Sequence, residues 1–149
     1  MDDLKKRTWA EISLDGISEN YKAIRRFIPG ETRFCGVVKA DAYGHGALSV
    51  ARLLQSLGAD YLAVSCLDEA LELRNNGIVM PILILGHTPY QFTNELVDNN
   101  ITQTITCLAK AEEYSAELVR LGKTMKAHIK VDTGMSRLGF LVDKDMFAE

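Results

Sequence analysis

The sequence predicts an α/β protein with a parallel sheet, and within that class part of a (β/α)8 TIM-type barrel rather than an open doubly wound sheet. Three observations lead there. Short apolar runs near residues 34, 61, 81, 101 and 126 alternate with four helical patterns, and strict strand–helix alternation marks parallel strands joined by crossover helices. No glycine-rich turn follows the first of these strands, as it often does in nucleotide-binding doubly wound folds. Polar residues recur at the strands' C-terminal ends, at Lys39, Ser65, Gly86-His87, Thr106 and Asp132-Thr133, the face on which barrel active sites are built. Eight β/α units take about 250 residues and the chain has 149. The expectation is about five parallel strands of a barrel, truncated before the rest.

At the N-terminus "TWAEISL" alternates and reads as a strand from Thr8 to Leu14, with Asp15 or Ser18 as the cap of the first helix. Ile17, Tyr21, Ile24 and Ile28 recur at helical spacing until Pro29-Gly30 stops the helix. "FCGVVKA" is a short, mostly apolar strand of the kind buried on both faces. Val50, Leu53, Leu54 and Leu57 form a helix stripe closed by Gly58. The pattern repeats: strand "YLAVSC", helix "LDEALELRNNG" stopped by Gly77, strand "PILILG", short helix "PYQFTNELVDNN", strand "ITQTIT", helix "LAKAEEYSAELVRLGK" ending near Gly122, strand "MKAHIKVDTG" and loop "MSRLGFLVD". "KDMFAE" begins a further helix, so the chain reads as a cut through a domain.

Composition excludes several classes. Hydrophobic residues make up 47% and charged residues 25%, ordinary for a globular protein and unlike a disordered one. The net charge of −3 argues against a nucleic-acid or anionic-membrane partner, which shows as a basic excess. Cys35, Cys66 and Cys107 are odd in number and widely spaced, which reads as reduced thiols in a reducing compartment. "MDDLKKRTWAEISLD" has no apolar signal core, and "IVMPILIL" is too short to span a bilayer. The expected location is the cytoplasm. No spacing resembles a zinc site or a nucleophile elbow.

Three stretches could carry chemistry. In "VVKADAYGHG" strand parity puts Val37 and Lys39 on one face. Burial at a strand mouth disfavours a charged lysine, and a neutral amine is a nucleophile toward carbonyls or a general base. A snorkelling lysine, or an ion pair with Asp41, accounts for the same pattern. Gly44 and Gly46 permit positive φ and close approach to a ligand. Tyr43 offers a hydroxyl, and the helix opening at "GHGALSV" offers free amides to an anion; a plain strand-to-helix turn is the bland alternative. In "HIKVDTGMSRLGF" His128, Lys130 and Asp132 share one strand face, and Arg137 follows between Gly134 and Gly139. A guanidinium there grips a carboxylate or phenolate in a planar way that lysine cannot, although a solvated loop arginine and a Lys130–Asp132 ion pair fit as well. His87 in "LGHTP" reads as a turn residue that could border a pocket, and Trp9 and Tyr21 read as packing residues.

"VVKADAYGHG", "LGHTP" and "HIKVDTGMSRLGF", with "WAEISLDGISENYKAIR" at the start, closely resemble alanine racemase, a fold-type III enzyme that uses pyridoxal 5'-phosphate (PLP). The resemblance covers essentially the whole chain but only the N-terminal part of the family's length. It implies interconversion of L- and D-alanine, supplying D-alanine for peptidoglycan, by a homodimer. It implies that Lys39 holds PLP as a Schiff base and is one of two acid/base groups, and that Tyr43 helps hold the cofactor phosphate. Arg137 would reach the cofactor's phenolic oxygen and the substrate carboxylate. Lys130 matches a lysine that is carbamylated in many family members and orients that arginine. No metal is implied. Residues 1–14 would be an N-terminal strand pairing with a C-terminal β-domain, and 15–149 the N-terminal portion of the PLP-binding barrel.

The family's second base is a tyrosine from the partner subunit's C-terminal domain, which lies beyond this sequence. The 149-residue chain alone is therefore expected to be inactive. A serine racemase of the same fold and a non-catalytic PLP-binding barrel are the alternatives.

Overall fold

The computed structural model describes residues 8–142. The order is α1 (Leu14–Phe27), β1 (Cys35–Val37), α2 (Lys39–Gly44, a single turn), α3 (Ala47–Ser56), β2 (Tyr61–Val64), α4 (Leu67–Asn75), β3 (Ile82–Ile84), a 3₁₀ turn (Tyr90–Phe92), α5 (Thr93–Asp98), β4 (Ile101–Ile105), α6 (Leu108–Leu121), β5 (Ala127–Ile129), β6 (Val131–Asp132) and β7 (Phe140–Leu141).

Strands β1 to β5 form one parallel sheet in simple sequence order. That order separates the two fold classes. A doubly wound sheet reverses its order at a switch point and takes helices on both faces. Sequential right-handed crossovers put every helix on the same face, which is the wall of a barrel. The other face is concave. By register Tyr61 on β2 and His128 on β5 point to the same side, with two strands between them. In a flat sheet the sideways separation alone would be roughly 14 Å, yet their ring centroids are 5.9 Å apart. The expected barrel arc is what the chain forms.

The core lies between this arc and its helices. Leu62, Val64, Ile82, Ile84, Ile101 and Ile105 are buried on the strands against Leu54, Leu73, Leu96 and Tyr114 from the helices. Each such aliphatic side chain contributes about 1.5–3 kcal/mol on full burial. The layers meet closely: a Cβ on Gly36 would lie 2.4 Å from Leu54 Cδ1, and one on Gly86 2.4 Å from the Ser65 carbonyl oxygen. Arg74, at the end of α4, donates to the carbonyls of Ile78, Met80, Asn99 and Asn100, tying the approaches to β3 and β4 together. Helix α6 ends as expected at Gly122 (φ 63); Gly122 and Lys123 amides bond back to Val119 and Leu118 carbonyls, the Schellman arrangement.

Several sequence expectations are corrected. Thr8–Ser13 form no strand and α1 begins at Leu14, because alternation yields a strand only where a ladder partner exists, and none does among the described residues. Trp9 is 73% exposed rather than packed, whereas Tyr21 is buried edge-on to Phe34, centroids 4.9 Å apart. The cap of α1 is Ser13, whose Oγ accepts from the Gly16 amide at 3.1 Å, not Asp15 or Ser18. "MKAHIKVDTG" is not one strand: it breaks at Lys130 into β5 and β6, and β6 pairs with β7 in a separate two-stranded ladder. The three cysteines are free, with Cys35 and Cys107 exposed. "KDMFAE" and the first seven residues lie outside the described residues.

Candidate active site

Lys39 sits where β1 gives out. The strand ends at Val37, and Val38 (φ −118, ψ 17) leaves the extended conformation, so strand parity does not carry through to Lys39. Val38 itself is buried, and its amide still donates to the Ala63 carbonyl at 2.9 Å. The next four residues, Ala40, Asp41, Ala42 and Tyr43, have φ of 51 to 56 and ψ of 37 to 52. That is one turn of left-handed helix made of L-residues other than glycine. Left-handed backbone costs roughly 1–2 kcal/mol per residue, and it persists only where the surroundings over-determine it.

The bonds that do so are specific. Ala42 N–H donates to the Val38 carbonyl (2.9 Å), His45 N–H to Ala42 (3.1 Å) and Gly46 N–H to Asp41 (3.0 Å). The Asp41 carboxylate accepts from the Ala47 amide at 2.6 Å, so the first amide of α3 is already occupied. Ala40 N–H, which faces no backbone carbonyl, donates to Glu69 Oε1 at 2.7 Å. Gly44 and Gly46 then take φ of 85 and 87, as the sequence predicts.

The turn places Lys39 Nζ 5.9 Å from the centroid of the Tyr43 ring, within cation–π reach. Lys39 is half-buried and Tyr43 is 62% exposed. Lys39 forms no ion pair among the described residues, and Asp41, the partner considered from the sequence, spends its carboxylate on α3.

Glu69 does not stand out in the sequence. It lies in the first turn of α4 and its Oε2 accepts from both the amide (2.7 Å) and the hydroxyl (2.8 Å) of Ser65. Burial pushes this carboxyl up, but the Ser65 and Ala40 amides, the Ser65 hydroxyl and the Cys66 amide outweigh it and hold it below its ordinary value. The available signal was position. Glu69 stands three residues after the N-cap Cys66, where a capping-box glutamate reaches back.

The second cluster follows β5. Lys130 N–H donates to the Ile105 carbonyl (2.9 Å), and the Lys130 carbonyl accepts from Phe140 N–H (2.8 Å). Asp132 is buried and organises the loop. Its Oδ1 accepts from the amides of Gly134 (2.9 Å) and Ser136 (3.0 Å), and its Oδ2 from that of Arg137 (3.1 Å). The Ser136 and Gly134 amides hold its carboxyl below the usual value. A Lys130–Asp132 ion pair is not formed. Gly139 (φ 119) passes so close to Lys130 that a Cβ would lie 2.7 Å from the Lys130 carbonyl oxygen. Lys130 and Arg137 line one cleft of about 160 Å³ with Asp132, Thr133 and Leu138, and both are exposed.

The structure thus brings Lys39 to Tyr43 and Lys130 to Arg137, and sets the two pairs at opposite edges of the same C-terminal rim. Between them, His87 lines a cleft with Cys66, Asp68 and Phe92. His128 is exposed against Tyr61 on the concave face.

Residues 12–148 match the family model described as "Alanine racemase, N-terminal domain". A curated alanine racemase of Clostridium perfringens is 48% identical over 145 residues, 97% of this chain and 37% of that protein. The solved alanine racemase of Clostridium difficile superposes with a TM-score of 0.88 at 42% identity, covering 97% of this chain and 38% of that one. A histidine racemase of Leuconostoc mesenteroides has a TM-score of 0.80 at 32% identity over 87% of this chain and 35% of its own. The chain spans little more than a third of the length of the relatives it matches.

Proposed function

The chain belongs to the alanine racemase family through its N-terminal domain, and we propose that it is the lysine-bearing arc of a PLP-dependent racemase that interconverts L- and D-alanine. One observation carries this reading. A half-buried primary amine, free of any acidic partner among the described residues, is held at the mouth of a barrel strand by a strained, multiply bonded turn. Strain of that kind gathers at functional sites.

The donor set suits PLP. Lys39 supplies an amine for the cofactor's aldehyde, and Tyr43, one turn away, a hydroxyl for its phosphate. Arg137 supplies a guanidinium for a phenolate or a carboxylate, and Lys130 lines the same cleft. When bound, PLP supplies an electron sink that makes the α-proton of an amino acid acidic. Lys39 would take or return a proton at its Nζ on one face of the amino acid, Arg137 would orient the carboxylate, and Lys130, which the family resemblance makes a carbamylation site, would steady Arg137. Inversion needs a second acid/base group on the opposite face, which the family resemblance assigns to a tyrosine of a partner subunit. The same reading makes the whole protein a cytoplasmic homodimer serving cell-wall synthesis, with residues 1–14 pairing with a C-terminal β-domain. Among the described residues no helix is long and apolar enough to cross a membrane. The likeness to a histidine racemase supports placing the choice of amino acid outside this arc.

The test compares the 149-residue chain with the complete subunit, each with added PLP and L-alanine. The complete subunit is expected to racemise alanine and to lose both turnover and the visible absorbance of bound PLP on Lys39→Ala. The chain alone is expected to show no turnover. PLP bound through Lys39 with no racemisation by the complete subunit points instead to a non-catalytic barrel, and preference for L-serine to a serine racemase.

A further inference from the structure

We propose that Glu69 is a positioning residue for Lys39: its carboxylate fastens the left-handed turn after β1 to the end of β2 and so fixes where the lysine's backbone leaves the sheet. The proposal deepens the reading of Lys39 as the PLP lysine and rests on it.

The Ala40 N–H bonds no backbone carbonyl among the described residues, and its acceptor is Glu69 Oε1 at 2.7 Å. The other oxygen of the same carboxylate is held by two donors of Ser65. Ser65 is in turn fixed by the segment that leaves β3, where Gly86 packs against the Ser65 carbonyl with no room for a Cβ. A chain of contacts therefore runs from Gly86 through Ser65 and Glu69 to Ala40, the residue after Lys39. An ionised carboxylate is suited to this because it is acceptor-only and its bonds to amides are charge-assisted. It also acts without neutralising the lysine: no carboxylate lies within ion-pair distance of Lys39 among the described residues, so the turn is held by a negative charge while the amine is left unpaired. A glutamine could accept from one neighbour but would turn an N–H₂ donor toward another donor.

The experiment uses the complete PLP-loaded subunit carrying Glu69→Gln, with Lys39→Ala as the reference for loss of the lysine–PLP bond. Amide exchange from Ala40 to Tyr43 is expected to speed up about tenfold or more, the loss of one charge-assisted bond, with β3 and α6 unchanged. Reconstituting the apoprotein with PLP is expected to need at least several-fold more cofactor for half-maximal visible absorbance. The value of kcat should fall about tenfold with KM nearly unchanged, because an interaction that only aligns the reacting amine acts on the chemical step. Wild-type protein that forms no Lys39-dependent PLP absorbance overturns the functional reading itself. Wild-type protein that forms it, beside a Glu69→Gln variant with unaltered exchange and cofactor titration, overturns this proposal alone. Should Glu69→Gln fail to fold, Glu69→Asp and Ser65→Ala decide: loosening confined to Ala40–Tyr43 supports the proposal, and uniform loosening or none overturns it.

Discussion

The turn after β1 and the loop after β5 are both organised by a carboxylate that collects backbone amides, but from different distances along the chain. Asp132 takes the amides of residues two, four and five ahead of it. Glu69 reaches 29 residues back to Ala40 and four back to Ser65. The Asp132 clamp can form inside its own segment, as aspartate turns do. The Glu69 clamp exists only once β1, β2 and α4 are assembled. The backbones match this division. Around Arg137 the one residue other than glycine with positive φ is Ser136, whereas after Lys39 there are four in succession. The more strained loop is the one that depends on the rest of the fold.

That contrast can be broken at its furthest anchor. Gly86→Ala drives a Cβ to 2.4 Å from the Ser65 carbonyl oxygen, a backbone atom that cannot rotate away, and overpacking of this kind costs about 1–3 kcal/mol or more. Urea unfolding should show the loss. Amide exchange should show loosening spread to Ala40–Tyr43 while Gly134–Arg137 keeps its protection; equal loosening of both loops would mean that the two are not independent.

The next effect has the opposite sign. Ala40→Gly removes the left-handed penalty at an exposed residue, and the complete subunit should gain about 1 kcal/mol, the mirror of placing alanine where φ is positive. A gain in the urea midpoint without loss of PLP binding locates strain in that turn; a loss of stability shows that the turn is not strained as its φ values indicate. Ser136→Gly offers the same test in the Asp132 loop, where a single residue is concerned and a smaller gain is expected.

Smaller still is the response to acid. Glu69 and Asp132 both titrate below their ordinary values of 4.5 and 3.8. Groups depressed in the folded state contribute stability that is present above the unfolded value and is lost as pH falls through the folded one. Exchange at Ala40 and at Ser136, corrected for the intrinsic pH dependence, should therefore quicken as pH drops below about 4. In Glu69→Gln the acid response at Ala40 should vanish and that at Ser136 remain. Persistence at Ala40 would show that another group controls it.

Much of the fold is legible in the chain. The apolar runs became strands, and Gly58, Gly77 and Gly122 took positive φ at helix ends because only the absent Cβ makes that cheap. Lys39 and Arg137 stand out as charged residues that follow apolar strand patterns. Other features are not legible. "TWAEISL" has strand alternation, yet Thr8–Ser13 meet no ladder among the described residues. "ADAY" has ordinary helix formers, yet it winds left-handed, and nothing within those four residues says so. Glu69 looks like one more acid in a helix's first turn.

By itself, then, the sequence determined the alternation of strands and helices, the places where glycine lets the chain stop or turn, and the family to which the Lys39 and Arg137 motifs belong. These rest on local propensity and burial pattern, which each segment carries with it. Only the tertiary structure decided the hand of the turn after Lys39, the curvature that brings Tyr61 to His128, and the partner of the Ala40 amide. Each of these is set by contacts between segments far apart in the chain, and the energy that holds a strained turn resides in the neighbour that braces it.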